Sequence, residues 1–107
     1  MLGALSKGIS KLDSPLHAAD TDLFIDALRS IGVPIECAES SANIHGCNSR
    51  FTGGATVNLG DGGTPTRFMM AIATLARKSV VIDGSARMRE RPIAEGVDLL
   101  RALGCKI

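Results

Sequence analysis

The amino-acid sequence predicts an α/β (α+β) fold that consists of repeated β-α-β-α-β-β units with mixed sheets and helices. Amphipathic stretches at helical spacing alternate with short strand-like stretches, and glycines separate the two kinds of element. The chain also resembles itself when one half is laid over the other. The superposition places Asp26, Leu28, Arg29, Gly32 and Ile35 on Asp98, Leu100, Arg101, Gly104 and Ile107. We therefore predict two related units, at residues 1–50 and 51–107; chance similarity between amphipathic helices is the alternative.

The first unit is predicted to hold the end of a helix at residues 1–5, a short strand at 9–12, a longer helix and two further strands. Asp20 or Thr21 is suited to cap the longer helix, and Gly32 is a typical helix stop. The two strands, 33–38 and 43–45, flank a polar turn, as in a hairpin. Residues 48–54 are predicted to form a loop.

The second unit begins with a strand at residues 55–59, followed by the glycine-rich segment Gly60–Arg67. Thr64 suits the N-cap of a helix and Pro65 its first position, where a missing N–H is harmless. Such a turn directs free backbone N–H groups and the positive end of a helix dipole at one point, where an anion can bind. Arg67 adds a cation that the dipole disfavours unless an anion is bound. The alternative is a tight turn whose glycines serve packing only.

A second cationic run, Arg87–Pro92, follows a predicted strand at 79–83 and is predicted to be a charged loop. Pro92 opens the last helix and holds Arg91 extended. Arginine binds phosphate and carboxylate groups with two parallel hydrogen bonds. Because parallel units bring their helix starts to one edge, one polyanionic ligand could contact both arginine-bearing starts. A solvated loop is the alternative.

Composition argues against several classes of protein. The net charge is +1 and the only aromatic residues are three phenylalanines, which argues against nucleic-acid binding. The three cysteines form no CxxC pair, which is typical of a reducing compartment. No apolar run is long enough to span a membrane, and His17 and His45 are too far apart to predict a metal site. We therefore expect a cytoplasmic protein without a metal, nucleic-acid or membrane partner.

Two motifs taken together, Gly60–Arg67 and Asp83–Ile93, resemble the EPSP synthases (3-phosphoshikimate 1-carboxyvinyltransferases). The region 16–33 is also similar to the first repeat of that family. The family's fold has two globular domains, each of three β-α-β-α-β-β units. The resemblance implies that this chain is most of the first two units of the N-terminal domain, truncated at both ends.

The resemblance also implies a reaction. The family transfers the enolpyruvyl group of phosphoenolpyruvate to the 5-hydroxyl of shikimate 3-phosphate, in aromatic amino acid biosynthesis, without a metal ion or organic cofactor. By motif position, Gly63 and Arg91 contact phosphoenolpyruvate, and Thr64 and Arg67 line the same pocket. Asp61 is expected in the same phosphoenolpyruvate-binding set. It stands where the family often has asparagine, and a carboxylate there repels an anion unless it pairs with an arginine.

Other parts of the family's site are expected outside this sequence. The Lys-Ser…Arg motif that binds both substrates is expected before Met1, and the acid/base carboxylates in the second domain. We therefore expect no catalytic residue here, the rest of the enzyme as partner, and no activity of the chain alone.

Two alternatives come from the same residues. A fragment of UDP-N-acetylglucosamine enolpyruvyl transferase would share the fold and cosubstrate. That enzyme has a reactive cysteine before its Arg-Pro pair, whereas this chain has Ser85 and Ala86. A non-catalytic α/β nucleic-acid-binding module is the alternative from another class, and the near-neutral charge argues against it.

Overall fold

The computed structural model describes residues 1–107. Its elements, in chain order, are α1 (Leu2–Leu5), β1 (Lys7–Asp13), α2 (Ala19–Ser30), β2 (Ile35–Ala38), β3 (Ser41–Cys47), β4 (Phe51–Gly53), β5 (Thr56–Asn58), α3 (Gly63–Ala73), β6 (Ala76–Lys78), β7 (Val81–Asp83), α4 (Ala86–Arg89) and α5 (Ala94–Ala102). None of these helices combines the length and the apolar character that crossing a membrane requires.

The first half of the chain forms a three-stranded antiparallel sheet in the order β1-β3-β2. Strands β2 and β3 pair across the predicted polar turn, with Ile35 opposite Ile44 and both side chains buried. This confirms the predicted hairpin. Strand β1 is longer than predicted because it pairs with β3 along its whole length, from Lys7 opposite Cys47 to Asp13 opposite Ser41.

The second half contains two parallel strand pairs, β4 with β6 and β5 with β7. The sequence predicted a loop at 48–54, and this was wrong because Phe51 is almost fully buried and begins strand β4. Strand β6 was also not predicted. Both strands have only three residues, which is too short for an alternating pattern to be visible.

The helix starts differ from the predicted ones by a few residues. Helix α3 begins at Gly63 with Gly62 as its N-cap, so Thr64 and Pro65 are its second and third residues rather than the cap and the first. Pro65 is tolerated there because the N–H groups of the first turn have no partner within the helix. Helix α2 has Ala18 at its N-cap, and the Ala18 N–H donates to the Thr21 hydroxyl at 2.9 Å.

The predicted charged loop at 87–91 contains the one-turn helix α4. Ser85 caps this helix, because its hydroxyl oxygen accepts a hydrogen bond from the Met88 N–H at 3.1 Å. The last helix, α5, begins at Ala94 rather than at Pro92.

The core lies between helices α2 and α3 and the strands. It is one cluster of buried apolar residues: Ala4, Ala27, Leu28, Ile31, Val33, Ile35, Ile44, Phe51, Val57, Leu59, Met69 and Ile72. Helix α5 packs against α3, where Gly96 approaches Met70, but α5 has no fully buried residue. Its predicted apolar face is only partly covered, and Leu103 is exposed.

The internal sequence match has a structural counterpart at the ends of α2 and α5. Arg29 donates to the Ile35 carbonyl oxygen from Nη2 at 2.8 Å and to Asp26 at 3.1 Å. At the equivalent positions, Arg101 donates to the Ile107 carbonyl oxygen from Nη2 at 3.1 Å and to Asp98 at 3.5 Å. The glycines that follow have φ values of +103° and +91°. The boundary of the two units between residues 50 and 51 remains a prediction.

Candidate anion-binding site

The glycine-rich turn between β5 and α3 forms the floor of the candidate site. The Gly62 N–H donates to the Leu59 carbonyl oxygen at 2.9 Å, which closes the turn. The Thr66 hydroxyl and N–H both donate to the Gly62 carbonyl oxygen, at 2.8 and 3.1 Å. The N–H groups of Gly63 and Thr64 donate to no acceptor in the chain. Two free donors therefore stand at the positive end of the α3 dipole.

Two guanidinium groups converge on this helix start. A Cβ atom added to Gly63 would lie 2.5 Å from Arg91 Nη1 and 3.1 Å from Arg67 Nη1, so the glycine lets both guanidinium groups approach the helix start this closely. Arg67 Nη1 donates to the Gly63 carbonyl oxygen at 3.0 Å, and Nη2 donates to the Pro92 carbonyl oxygen at 3.1 Å. The structure thus brings together Gly63, Arg67 and Arg91, which belong to two separate sequence motifs.

Hydrogen bonds to the carbonyl oxygens of Gly60 and Asp61 hold the arginine-bearing segment, residues 84–91, against the glycine turn. The Ser85 N–H donates to the Gly60 carbonyl oxygen at 3.0 Å, and Arg91 Nη1 lies 3.4 Å from the Asp61 carbonyl oxygen. A Cβ atom at Gly84 would lie 2.7 Å from the Gly60 carbonyl oxygen, so the close approach of the two segments depends on this glycine. The two motifs are therefore parts of one surface.

The two converging arginines carry uncompensated charge. Neither Arg67 nor Arg91 forms an ion pair with a carboxylate of the chain. Arg89 contrasts with them, because its Nε and Nη2 donate to the two carboxylate oxygens of Asp83 at 2.9 and 2.7 Å. Those hydrogen bonds from Arg89, together with one from the Gly84 N–H, lower the pKa of Asp83 to about 2.

The other two predicted residues have different environments. Thr64 lies on the first turn of α3, is exposed, and uses its side chain in no hydrogen bond within the chain. Asp61 is exposed in the glycine turn, and its carboxylate accepts a hydrogen bond from the Ser85 hydroxyl instead of pairing with an arginine. Its backbone, not its side chain, contacts Arg91.

Two concave regions lie next to the site. A cavity of about 380 Å³ between α3 and α5 is lined by Arg67, Pro92 and Glu95, among other residues. A larger one, of about 820 Å³, lies beside β6 and the segment after α5, with Lys78 and Cys105 among its lining residues. Arg67 and Pro92 line the smaller cavity, whereas Gly63 and Arg91 line neither of these two cavities, so the smaller cavity adjoins the convergence of the two arginines through Arg67.

Ser85 was not predicted as part of this site. Its spacing to Met88 is that of an N-cap residue, which predicts a helix start but says nothing about a partner far away in the chain. The contact with Asp61 spans 24 residues and becomes visible only in the folded chain.

Comparison with known proteins decides the family. The family model described as EPSP synthase (3-phosphoshikimate 1-carboxyvinyltransferase) matches residues 1–107. The chain belongs to the EPSP synthase family. It is 39% identical, over 95% of its own length, to the 3-phosphoshikimate 1-carboxyvinyltransferase of Methanoculleus marisnigri, and 38% identical to that of Rhizobium etli over 100%. The chain spans only 25% and 26% of those two proteins.

Solved structures agree on the fold. EPSP synthase from Acinetobacter baumannii superposes on 97% of this chain with a TM-score of 0.89 at 24% sequence identity. A second structure of an Acinetobacter baumannii EPSP synthase covers 98% of the chain, also with a TM-score of 0.89. In each case the chain covers 24% of the matched structure. The predicted EPSP synthase-like mixed α/β fold is confirmed, and the matches favour this family over the two alternatives.

Proposed function

We propose that this chain is part of an enzyme that transfers the enolpyruvyl group of phosphoenolpyruvate to the 5-hydroxyl of shikimate 3-phosphate, and that the chain contributes part of its phosphoenolpyruvate site. The observation that carries this proposal is the convergence of Arg67 and Arg91, both without an ion pair, on Gly63 at the start of helix α3. Family membership supports the reaction. In the complete enzyme, the other expected partner of the chain is the remaining three quarters of the protein.

The proposed ligand matches the donors that are available. Phosphoenolpyruvate carries a phosphate and a carboxylate, and each guanidinium group has five N–H donors in a planar fork. Arg91 uses one of its terminal nitrogens in a long contact with the Asp61 carbonyl oxygen. Its remaining donors, the donors of Arg67 that make no internal bond, and the free N–H groups of Gly63 and Thr64 can bind the two anionic groups.

These groups would act on charge that develops during the reaction. The methylene group of phosphoenolpyruvate takes up a proton and becomes a methyl group, while the 5-hydroxyl gives up its proton and attacks the neighbouring carbon. The tetrahedral intermediate then expels phosphate and loses a proton from that methyl group, which restores the carbon–carbon double bond of the enolpyruvyl group. Fixed cations and amide donors stabilise such charge because they are oriented before the reaction begins. We assign Arg67, Arg91, Gly63 and Thr64 to this binding role and assign no proton transfer to the chain.

Two further proposals concern the context of the chain. The groups that bind shikimate 3-phosphate and move protons belong to the rest of the enzyme, so the chain by itself is inactive. A cytoplasmic location is supported by three free cysteines, of which Cys37 is exposed.

The proposed site is tested by titrating the 107-residue chain with phosphoenolpyruvate in a calorimeter. We expect saturable binding that Arg91→Ala weakens about tenfold or more, because a charge-assisted hydrogen bond contributes about 1.5–3 kcal/mol. Arg87→Ala is the matched control, since it removes the same charge from an exposed position on the same segment. Equal weakening by both substitutions would indicate only nonspecific attraction, and no binding by the unmodified chain would contradict the proposed site.

A further inference from the structure

Asp61 and Ser85 connect the two segments that carry the arginines, and this contact has a consequence for the anion site. We propose that Asp61 is a positioning residue, which holds Arg91 over Gly63 through Ser85, and is not a ligand of the anion. The inference rests on the proposed phosphoenolpyruvate site. It assigns a role to a side chain whose charge is otherwise unfavourable beside a bound anion.

Asp61 contacts both ends of the arginine-bearing segment. Its carboxylate accepts the Ser85 hydroxyl hydrogen at the start of the segment. Its carbonyl oxygen lies 3.4 Å from Arg91 Nη1 at the end. Asp61 therefore contacts the start of the segment through its side chain and the end of the segment through its backbone carbonyl.

Ser85 transmits this restraint through helix α4. While its hydroxyl donates to Asp61, the same oxygen accepts from the Met88 N–H at 3.1 Å. The Met88 side chain is almost fully buried, and its carbonyl oxygen accepts from the Arg91 N–H at 3.1 Å. A continuous set of hydrogen bonds therefore runs from the Asp61 carboxylate through Ser85 and Met88 to the backbone of Arg91.

The negative charge of Asp61 is unfavourable next to a site that binds an anion. The carboxylate forms no ion pair with Arg67 or Arg91, so it does not neutralise them, and it repels any anion bound at Gly63. The hydrogen bond from Ser85 needs only an acceptor oxygen, which an asparagine amide also provides. Asp61→Asn therefore keeps the restraint and removes the repulsion, whereas Asp61→Ala removes both.

Comparing these two variants isolates the positioning role, because both lack the charge and only one keeps the acceptor. We expect Asp61→Asn to bind phosphoenolpyruvate about threefold more tightly than the unmodified chain. We expect Asp61→Ala to bind about three- to tenfold more weakly than Asp61→Asn, which corresponds to one hydrogen bond. Thermal unfolding midpoints of the two variants should differ by no more than one exposed hydrogen bond contributes, because the Asp61 side chain lies outside the core.

A second readout needs no ligand. In nuclear magnetic resonance spectra, the Arg91 Nε–H signal should move in Asp61→Ala and in Ser85→Ala, and stay in place in Asp61→Asn. Equal affinities of Asp61→Asn and Asp61→Ala, or an Arg91 signal that is unchanged in Asp61→Ala, would overturn the positioning role. The proposed function has a separate test, since Arg91→Ala weakens binding whether or not Asp61 positions it.

Discussion

The arginines in the last turns of α2 and α5 form ion pairs, whereas the two arginines at the start of α3 do not. Arg29 and Arg101 lie in the last turns of α2 and α5, where the helix dipole favours a cation, and each donates to an aspartate and to a backbone carbonyl oxygen. Arg67 and Arg91 lie by the start of α3, where the dipole disfavours a cation, and neither has a carboxylate partner. Arginine is therefore paired with carboxylates at the ends of α2 and α5 and is left without a carboxylate partner at the start of α3.

The largest expected effect comes from adding a methyl group at Gly63, between the guanidinium groups of Arg67 and Arg91. In Gly63→Ala, the new methyl group would meet Arg91 Nη1 at 2.5 Å and Arg67 Nη1 at 3.1 Å, so both guanidinium groups must move. We expect phosphoenolpyruvate binding, measured by calorimetry, to weaken about tenfold or more, with a small change in stability. Gly96→Ala is a control of the same chemical change, where the methyl group meets only the flexible end of Met70. Unchanged affinity in Gly63→Ala would mean that the arginines do not bind the ligand at this place.

A second substitution pair separates stability from binding. Arg29→Ala removes two hydrogen bonds to the Ile35 carbonyl oxygen and the contact with Asp26. It should lower the free energy of unfolding by about 1–2 kcal/mol and leave ligand affinity unchanged. Arg91→Ala should weaken ligand binding and leave the free energy of unfolding unchanged. Urea unfolding of both variants measures the difference, and an equal loss of stability in the two would contradict the distinction between structural and ligand-binding arginines.

The smallest expected effect concerns Arg89, which is paired although it lies two residues from Arg91. Its hydrogen bonds lower the pKa of Asp83 to about 2, against an ordinary value of 3.8. The folded chain therefore binds fewer protons at this carboxylate than the unfolded chain does, so the stabilisation is present above about pH 4 and is lost as the pH falls towards 2. Unfolding midpoints measured from pH 5 to pH 2 should fall more steeply for the unmodified chain than for Asp83→Asn. Parallel curves would show that the pair does not contribute.

Local chemistry explains which parts of the fold could be predicted. Gly32 and Gly104 end helices because a left-handed residue is needed there, and the apolar stripe of α2 marks a face that must be buried. Strand β4 was missed because its burial depends on neighbours that are distant in sequence, and only Phe51 signals it. The start of α3 was misplaced because Gly62 caps it through its backbone alone.

The candidate site could be predicted in part for the same reason. A glycine-rich turn before a helix predicts an anion site, and Pro92 restricts the backbone of Arg91, whereas Gly63 itself is predicted only by its motif position in the EPSP synthase resemblance. The sequence does not show that Ser85 donates a hydrogen bond to Asp61. It also does not show that Arg89 forms an ion pair whereas Arg91 forms none. Those distinctions depend on tertiary contacts between segments more than 20 residues apart and, for Arg89, on the carboxylate of Asp83 at the end of a strand.

The most direct test of the central claim follows the arginine Nε–H signals of the chain during a titration with phosphoenolpyruvate. The signals of Arg67 and Arg91, and the backbone amides of Gly63 and Thr64, should shift together and reach saturation. Those of Arg29 and Arg101 should stay in place. Uniform shifts of all four arginine signals, or stationary signals at Gly63 and Arg91, would contradict the claim that phosphoenolpyruvate binds at the start of α3.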